Sequence, residues 1–408
     1  MISRCFIRSV WNRCLCGKNI SVDINQRIHA ELSDLESRAE LRRLKTVRGI
    51  DLSSNDYLGL ATDPRMKQSL LESVQSASRI ASSGSRLLSG QDEAWTLLEQ
   101  NFAQWVGAEA ALYFTSGYAA NIGLLSAILR PEDVVFSDKA NHASLIDGIR
   151  LAKCRRVIFP HLDLNFLEGE LRRHASIAGA RVIVVESIFS MEGDRTPLAD
   201  LSALAERYGA ELIVDEAHAI GVRGPHGSGC VAEAGHSARI LATVHPCGKA
   251  LAAAGAFVGG SKNLRRFLIN RARTFIYSTG LPPYFASQVA AGVSLAKHAE
   301  GERARLMEFG ALLRKELRNN GFDTARSDSQ IVPVILGSNE VAIHFAECLR
   351  TSGFGVRAIR PPTVPAGTAR LRLSLTAKLS KEILAELVTA MIRARDNHSS
   401  ARTVSVSR

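Results

Sequence analysis

Lys249 sits in Pro246-Cys247-Gly248-Lys249-Ala250-Leu251, downstream of the apolar run Leu212-Ile213-Val214 that ends in Asp215-Glu216-Ala217-His218. An exposed amine in a small-residue turn can condense with an aldehyde. A carboxylate at the end of an apolar strand can keep a pyridinium nitrogen protonated, so that the ring accepts electrons. Together they are the chemistry of a pyridoxal 5'-phosphate site, with Lys249 as the Schiff-base lysine. His218, three positions after Asp215, suits a hydrogen bond to the phenolic oxygen of such a ring, although read alone it is a satisfied core histidine. His142, in Asn141-His142-Ala143-Ser144, reads alone as an exposed or capping histidine. In a pyridoxal phosphate site an imidazole there stacks on one ring face while the lysine approaches the other.

A phosphate needs donors. Thr115-Ser116-Gly117-Tyr118-Ala119-Ala120-Asn121 is a small-residue turn running into a helix, whose backbone N–H groups and positive dipole end suit an anion. By itself it is equally an ordinary capped helix start. Tyr277-Ser278-Thr279-Gly280 offers further hydroxyls. Two other phosphate motifs are excluded. A Walker loop fails because Thr243 stands where its first Gly belongs and Ala250 where Ser/Thr belongs. Gly84-Ser85-Arg86-Leu87-Leu88-Ser89-Gly90 is Gly/Ser-rich but misspaced for a dinucleotide fingerprint.

These residues need a frame. Short apolar runs, Val134–Phe136, Val157–Phe159, Val182–Val185, Leu212–Val214 and Ile240–Val244, alternate with helical stretches such as 165–175 and Leu198–Tyr208. That alternation predicts a mostly parallel sheet with helices on both faces. Asp92 can cap an amphipathic helix carrying Trp95, Leu98, Phe102 and Trp105. Pro282-Pro283 opens a helix leading to a second region, with strands at Ile331–Ile335, Val356–Ile359 and Leu371–Leu375 and helices near 339–352 and 380–395. In open α/β sheets the chemistry gathers beyond the carboxyl ends of the strands, where Asp215, Glu186-Ser187 and Lys249 fall.

A chain of 408 residues can bury a large core. No uncharged apolar stretch is long enough to span a membrane. Seven scattered cysteines suit a reducing, cytoplasmic setting, with Cys14 and Cys16 as free thiols and no zinc-site spacing, hence no metal. The net charge of +11 comes without Lys/Arg blocks interleaved with aromatics, which argues against nucleic acid and leaves an anionic acyl carrier as a partner. The first twenty residues are Arg-rich and acid-free, fitting an unstructured extension or an organellar transit peptide.

The segments Ser53–Leu60, Ser187–Asp194, Val214–His218, Gly248–Ala250 and Tyr277–Pro283 stand in the order of the α-oxoamine synthase family, which the chain resembles from roughly residue 40 to 395. Its segment Ile359–Arg372 is similar to the branch of biotin synthesis that uses L-alanine rather than to glycine-using relatives. The resemblance implies a fold-type I pyridoxal phosphate enzyme. Its parts would be an N-terminal extension and helix (1–40), a large cofactor domain (41–285), a smaller α+β C-terminal domain (286–395) and a tail (396–408). The large domain would hold a seven-stranded, mostly parallel sheet.

The same resemblance implies a homodimer with sites at the subunit interface, Ser278 and Thr279 serving the partner's phosphate. By position, Lys249 is the Schiff-base lysine, Asp215 pairs with the pyridine nitrogen, and His218 and Ser190 contact the cofactor. Ser116, Gly117 and Tyr118 lie at the cofactor and His142 stacks on it. Arg372 clamps the amino-acid carboxylate with Asn55 nearby, and Thr363 contacts substrate. Arg42 or Arg43, with Arg360, would meet the acyl substrate. The implied reaction is condensation of L-alanine with a pimeloyl thioester of CoA or acyl carrier protein, with loss of CO2. Where family members carry Thr three residues before the lysine, this chain has Pro246, which removes a hydroxyl and a backbone donor. Three other readings stay open: a glycine-using synthase such as 2-amino-3-ketobutyrate CoA ligase, an aminotransferase on the same fold, and a cofactor-free partner subunit.

Overall fold

The computed structural model describes residues 23–44, 46–235 and 239–406, with side chains as far as 398; the basic N-terminal stretch with Cys14 and Cys16 lies outside them. The chain forms two compact units, the first ending at Lys45 and the second spanning Thr46–Arg408. In the first, helix Ile24–Ser37 is capped by Asp23, whose Oδ1 accepts from the Asn25 N–H at 2.9 Å. Arg42 and Arg43 belong to this unit, and Arg43 pairs there with Glu36 at 3.3 Å.

The second unit is built on a seven-stranded sheet. Its order is Ala110–Phe114, Ala256–Gly260, Ile240–Pro246, Glu211–Asp215, Arg181–Glu186, Val134–Asp138 and Arg155–Phe159. Five strands run parallel, and Ala256–Gly260 is antiparallel to both its neighbours. The mostly parallel seven-stranded sheet expected from the sequence is present.

Buried on both faces, these strands need apolar side chains at successive positions, and alternation sends them to opposite sides. Ile183, Val185, Leu212 and Val214 enter one core, and Val182, Val184 and Ile213 enter another with Leu124 and Leu125 of helix Gly117–Ile128. Each such fully buried side chain contributes about 1.5–3 kcal/mol relative to exposure. The strand register places Glu186 beside Asp215 at the carboxyl edge.

Beyond helices Tyr284–Lys297 and Glu300–Asn319, an antiparallel sheet pairs Ala358–Ile359, Ala369–Ser374 and Ile331–Gly337. Strand Ile50–Asp51 pairs with Phe354–Gly355, so the chain just before the Ser53–Leu60 motif lies against this later sheet region. The last helix, Lys381–Val406, runs past residue 395, where the sequence pattern suggested it would end. No Gly or Pro interrupts residues 396–406, so nothing local stops it. Among the described residues no helix is long and apolar enough to cross a membrane.

Candidate active site

Asp215 is the last residue of its strand and is 4% exposed. Its Oδ1 accepts from the Ala217 N–H at 2.9 Å and its Oδ2 from Asn121 Nδ2 at 2.7 Å. Among the described residues no cation pairs with it. The carboxylate is therefore oriented by neutral donors and left with charge to offer a cationic ligand atom. The Asn121 amide also donates to Ser144 Oγ at 2.9 Å, and Ser144 Oγ lies 2.8 Å from His142 Nδ1. The Ser144 N–H points to the same ring nitrogen at 3.2 Å, making His142 an N-cap whose Nδ1 accepts. One hydrogen-bonded chain thus joins the two residues expected at the edge and face of the cofactor ring.

Lys249 lies three residues beyond strand Ile240–Pro246. It is half-buried, not exposed as its small-residue turn suggested, because Cys247, Ala250 and Leu251 go into the core and pull the turn inward. Its Nζ meets His218 Nε2 at 3.1 Å. Burial pushes the lysine down to about 8, against the opposing charges of Asp215 and Glu186 and with help from Arg372. A free lysine would be almost fully charged at neutral pH; this one keeps an appreciable neutral, nucleophilic fraction. Burial also lowers the His142 and His218 imidazoles, both of which feel the positive charge of Lys249. Burial, then the charge of Asp215, pushes the Glu186 carboxyl up to about 8.

Arg372 is 7% exposed and held from three directions. Its Nε donates to the Ser190 carbonyl at 2.5 Å, its Nη1 to Ser374 Oγ at 3.4 Å, and its Nη2 to the Tyr57 hydroxyl at 3.5 Å. Tyr57 Oη in turn lies 3.0 Å from Asn55 Oδ1 and 2.5 Å from His218 Nδ1. The cluster therefore contains Lys249, His218, Arg372, Asn55 and Ser190, drawn from sequence positions far apart. It also contains Tyr57, and the chain from Asp215 to His142 contains Asn121; neither was given a role from sequence. Asn121 had a signal: it is an amide in the mostly apolar helix Gly117–Ile128, and it is buried.

At the start of that helix Ser116 is the N-cap, its Oγ accepting from the Ala119 N–H at 3.0 Å. A Cβ on Gly117 would sit 2.8 Å from Pro246 Cγ, so glycine is needed for the helix end to lie against the strand that leads to Lys249. Tyr118 is exposed, its hydroxyl donating to Asp147 and its ring edge-on to His142 with centroids 6.3 Å apart. The residues present fit pyridoxal phosphate: a helix N-terminus for the phosphate, an unpaired buried carboxylate, and a nucleophilic amine with a neutral imidazole beside it.

Ser278 and Thr279 make no hydrogen bond to the Lys249 cluster; Thr279 bridges to Ser85 and the Gly280 N–H donates to the Gly84 carbonyl at 2.9 Å. Thr363 is exposed and its N–H donates to the Arg360 carbonyl at 3.1 Å. Arg42 and Arg43 lie in the first unit.

Residues 47–391 match the family model described as aminotransferase class I and II. The chain is 43% identical over 385 residues to the 8-amino-7-oxononanoate synthase of Geobacter sulfurreducens, covering 91% of this chain and 98% of that one. It is also 43% identical over 328 residues to that of Anaeromyxobacter dehalogenans, with 80% and 82% covered. Among solved structures, serine palmitoyltransferase of Sphingomonas wittichii superposes with a TM-score of 0.85 at 27% identity, over 94% of this chain and 100% of that one. An 8-amino-7-oxononanoate synthase from Francisella tularensis gives 0.75 at 26%, over 86% and 99%. The chain belongs to the aminotransferase class I and II family, and pyridoxal 5'-phosphate is its cofactor.

Proposed function

We propose that the enzyme condenses L-alanine with a pimeloyl thioester, carried by CoA or acyl carrier protein, giving 8-amino-7-oxononanoate, CO2 and the free thiol. The near full-length 43% identity to a synthase of that name supports the substrate pair. The observation that carries the chemistry is one buried hydrogen-bonded cluster joining an amine lowered to about 8 to a guanidinium fixed by three acceptors.

Lys249 would hold the cofactor, Asp215 would meet its pyridine nitrogen, and His142 would stack on its ring. Ser116, Gly117 and the first turn of helix Gly117–Ile128 would take its phosphate, with Tyr118, Ser190 and His218 also contacting it. Pyridoxal phosphate, when bound, supplies the electron sink for the pair left at the substrate Cα. Arg372 and Asn55 grip the amino-acid carboxylate, which sets the Cα–H bond for removal. Lys249, as the free amine, would take the Cα proton. Its lowered pKa makes that base available near neutral pH. The Cα–acyl bond forms as the C–S bond breaks, and the departing thiolate takes a proton from water. CO2 then departs and a proton from Lys249 takes its place at Cα, so no oxidant or reductant is needed.

In this reading Thr363 contacts substrate, and Arg360 with Arg42 or Arg43 would meet the acyl substrate. A homodimer is part of this reading, with Ser278 and Thr279 completing the partner's phosphate site. We also place the enzyme in the cytoplasm, in keeping with the free thiols of Cys154, Cys230, Cys247 and Cys348. The test is a set of parallel assays of CO2 and thiol release. Alanine with pimeloyl-CoA should turn over fastest; preference for glycine with acetyl-CoA, or for serine with palmitoyl-CoA, would overturn the substrate assignment.

A further inference from the structure

The Tyr57 side chain is fully buried, yet its hydroxyl is the meeting point of three groups that the reaction uses. His218 Nδ1 is 2.5 Å away, Asn55 Oδ1 3.0 Å, and Arg372 Nη2 3.5 Å. On the other side of the His218 ring, Nε2 meets Lys249 Nζ at 3.1 Å. The hydroxyl has one proton and two acceptors competing for it, so its direction and the His218 tautomer are linked.

Consider the two states. When Lys249 is an ammonium it donates to His218 Nε2. Nδ1 must then carry the ring proton and donate to Tyr57 Oη, and the Tyr57 proton points to Asn55. When Lys249 is neutral, Nε2–H can donate to its lone pair. Nδ1 is then an acceptor, and the Tyr57 proton turns from Asn55 to His218. Burial lowers the basicity of His218 and the acidity of Tyr57, so both stay uncharged and only hydrogen-bond directions change.

We propose that Tyr57 is a positioning residue that couples the carboxylate-binding pair Asn55–Arg372 to the protonation state of Lys249 through the tautomer of His218. This rests on the reading of Lys249 as the cofactor lysine. The charged and titratable groups facing the relay are Asp215, Glu186 and Arg372 around Lys249, and Arg372, Lys249 and His142 around His218. Arg372 also faces Tyr57, beside the neutral Ser374 and Gln330. Removing the hydroxyl leaves all of these charges in place.

The experiment uses the full chain stripped of cofactor. The rate at which pyridoxal phosphate is taken up, followed by the appearance of its visible band, is measured against pH. Uptake needs neutral Lys249, so the wild-type rate should rise with a midpoint near the lysine value of about 8. In Tyr57→Phe the ammonium state loses two hydrogen bonds, His218 Nδ1–H to Tyr57 and Tyr57 to Asn55, and the neutral state only one, Tyr57 to His218, so neutral Lys249 is favoured by the difference. The midpoint should move to lower pH, by about half a unit or more for the ~1 kcal/mol of one hydrogen bond. Asn55→Ser frees the Tyr57 proton for His218 and should shift it the same way, which keeps the test open if one variant fails to fold. Midpoints equal to wild type in the folded variants overturn the coupling. A wild-type protein that takes up no pyridoxal phosphate overturns instead the reading on which it rests.

Discussion

Arg372 contributes through geometry as much as charge. Three acceptors already fix its fork, so a substrate carboxylate meets a donor that need not be reorganised. Arg372→Lys keeps the charge and loses the fork. The expected result is a rise of about 10- to 100-fold in the alanine KM, as for loss of ~1.5–3 kcal/mol of charged hydrogen bonding, with pyridoxal phosphate affinity unchanged. Titration of both ligands checks it. Glu186 behaves differently. Its folded pKa of about 8 lies above the unfolded carboxyl value, so its contribution to stability is greatest at low pH and falls as pH rises towards 8. Glu186→Gln removes that loss. In the cofactor-free protein its melting temperature should exceed that of wild type at pH 8, with the advantage shrinking at pH 5. Lys249 and Asp215 were legible from their own chemistry, whereas His218 read alone was a core histidine and Arg372 was singled out only through the family resemblance. Tyr57 was not: it lies inside the Ser53–Leu60 motif, but its partners come from residues 218 and 372, a pairing only the fold creates.

The loop Ser187–Asp194 brings Ser190 to Arg372 and is secured at both ends. His161 lies between Asp138, at 2.9 Å, and Asp194, at 3.0 Å. Burial opposes its charge, but the hydrogen bonds to the two carboxylates outweigh that and raise it to about 10. Its folded pKa exceeds the unfolded one, so its stabilisation is complete below about pH 6.5 and is lost as pH rises through 10. Removing the cation leaves two buried acids facing each other. His161→Gln should cost about 3–5 kcal/mol in urea unfolding at pH 6, with the gap to wild type closing by pH 10. Gly193 secures the loop in another way. Its φ is +69°, and a Cβ there would lie 2.1 Å from the Ile331 carbonyl. Gly193→Ala should therefore lower stability by more than the ~1–2 kcal/mol of a left-handed alanine alone. Five strands of the large sheet were readable as apolar runs. Ala256–Gly260 was not, since its glycines look like a turn. They are required because a Cβ on Gly259 would sit 2.8 Å from Thr243 Oγ1 of the adjacent strand.

At the scale of the molecule, the seven-stranded sheet followed from the alternation of strands and helices together with the motif order. The pairing of Ile50–Asp51 with Phe354–Gly355 did not, because two-residue strands have no period to detect and their contact spans most of the chain. It fixes the start of the Asn55–Tyr57 segment close to the sheet region that carries Arg372. In the proposed dimer, with the hydroxyls of Ser278 and Thr279 assigned to the other subunit's phosphate, cofactor retention would depend on protein concentration. Serial dilution should release pyridoxal phosphate from wild type at the same concentration at which sedimentation shows dissociation.

The account turns on Lys249. Borohydride reduction of the loaded enzyme, followed by peptide mass mapping, fixes the cofactor to whichever amine holds it. The account predicts a single phosphopyridoxyl adduct on the peptide containing Cys247-Gly248-Lys249, absent from Lys249→Ala. An adduct on another lysine, or an unmodified Lys249 in a protein that retains the visible band, would contradict it.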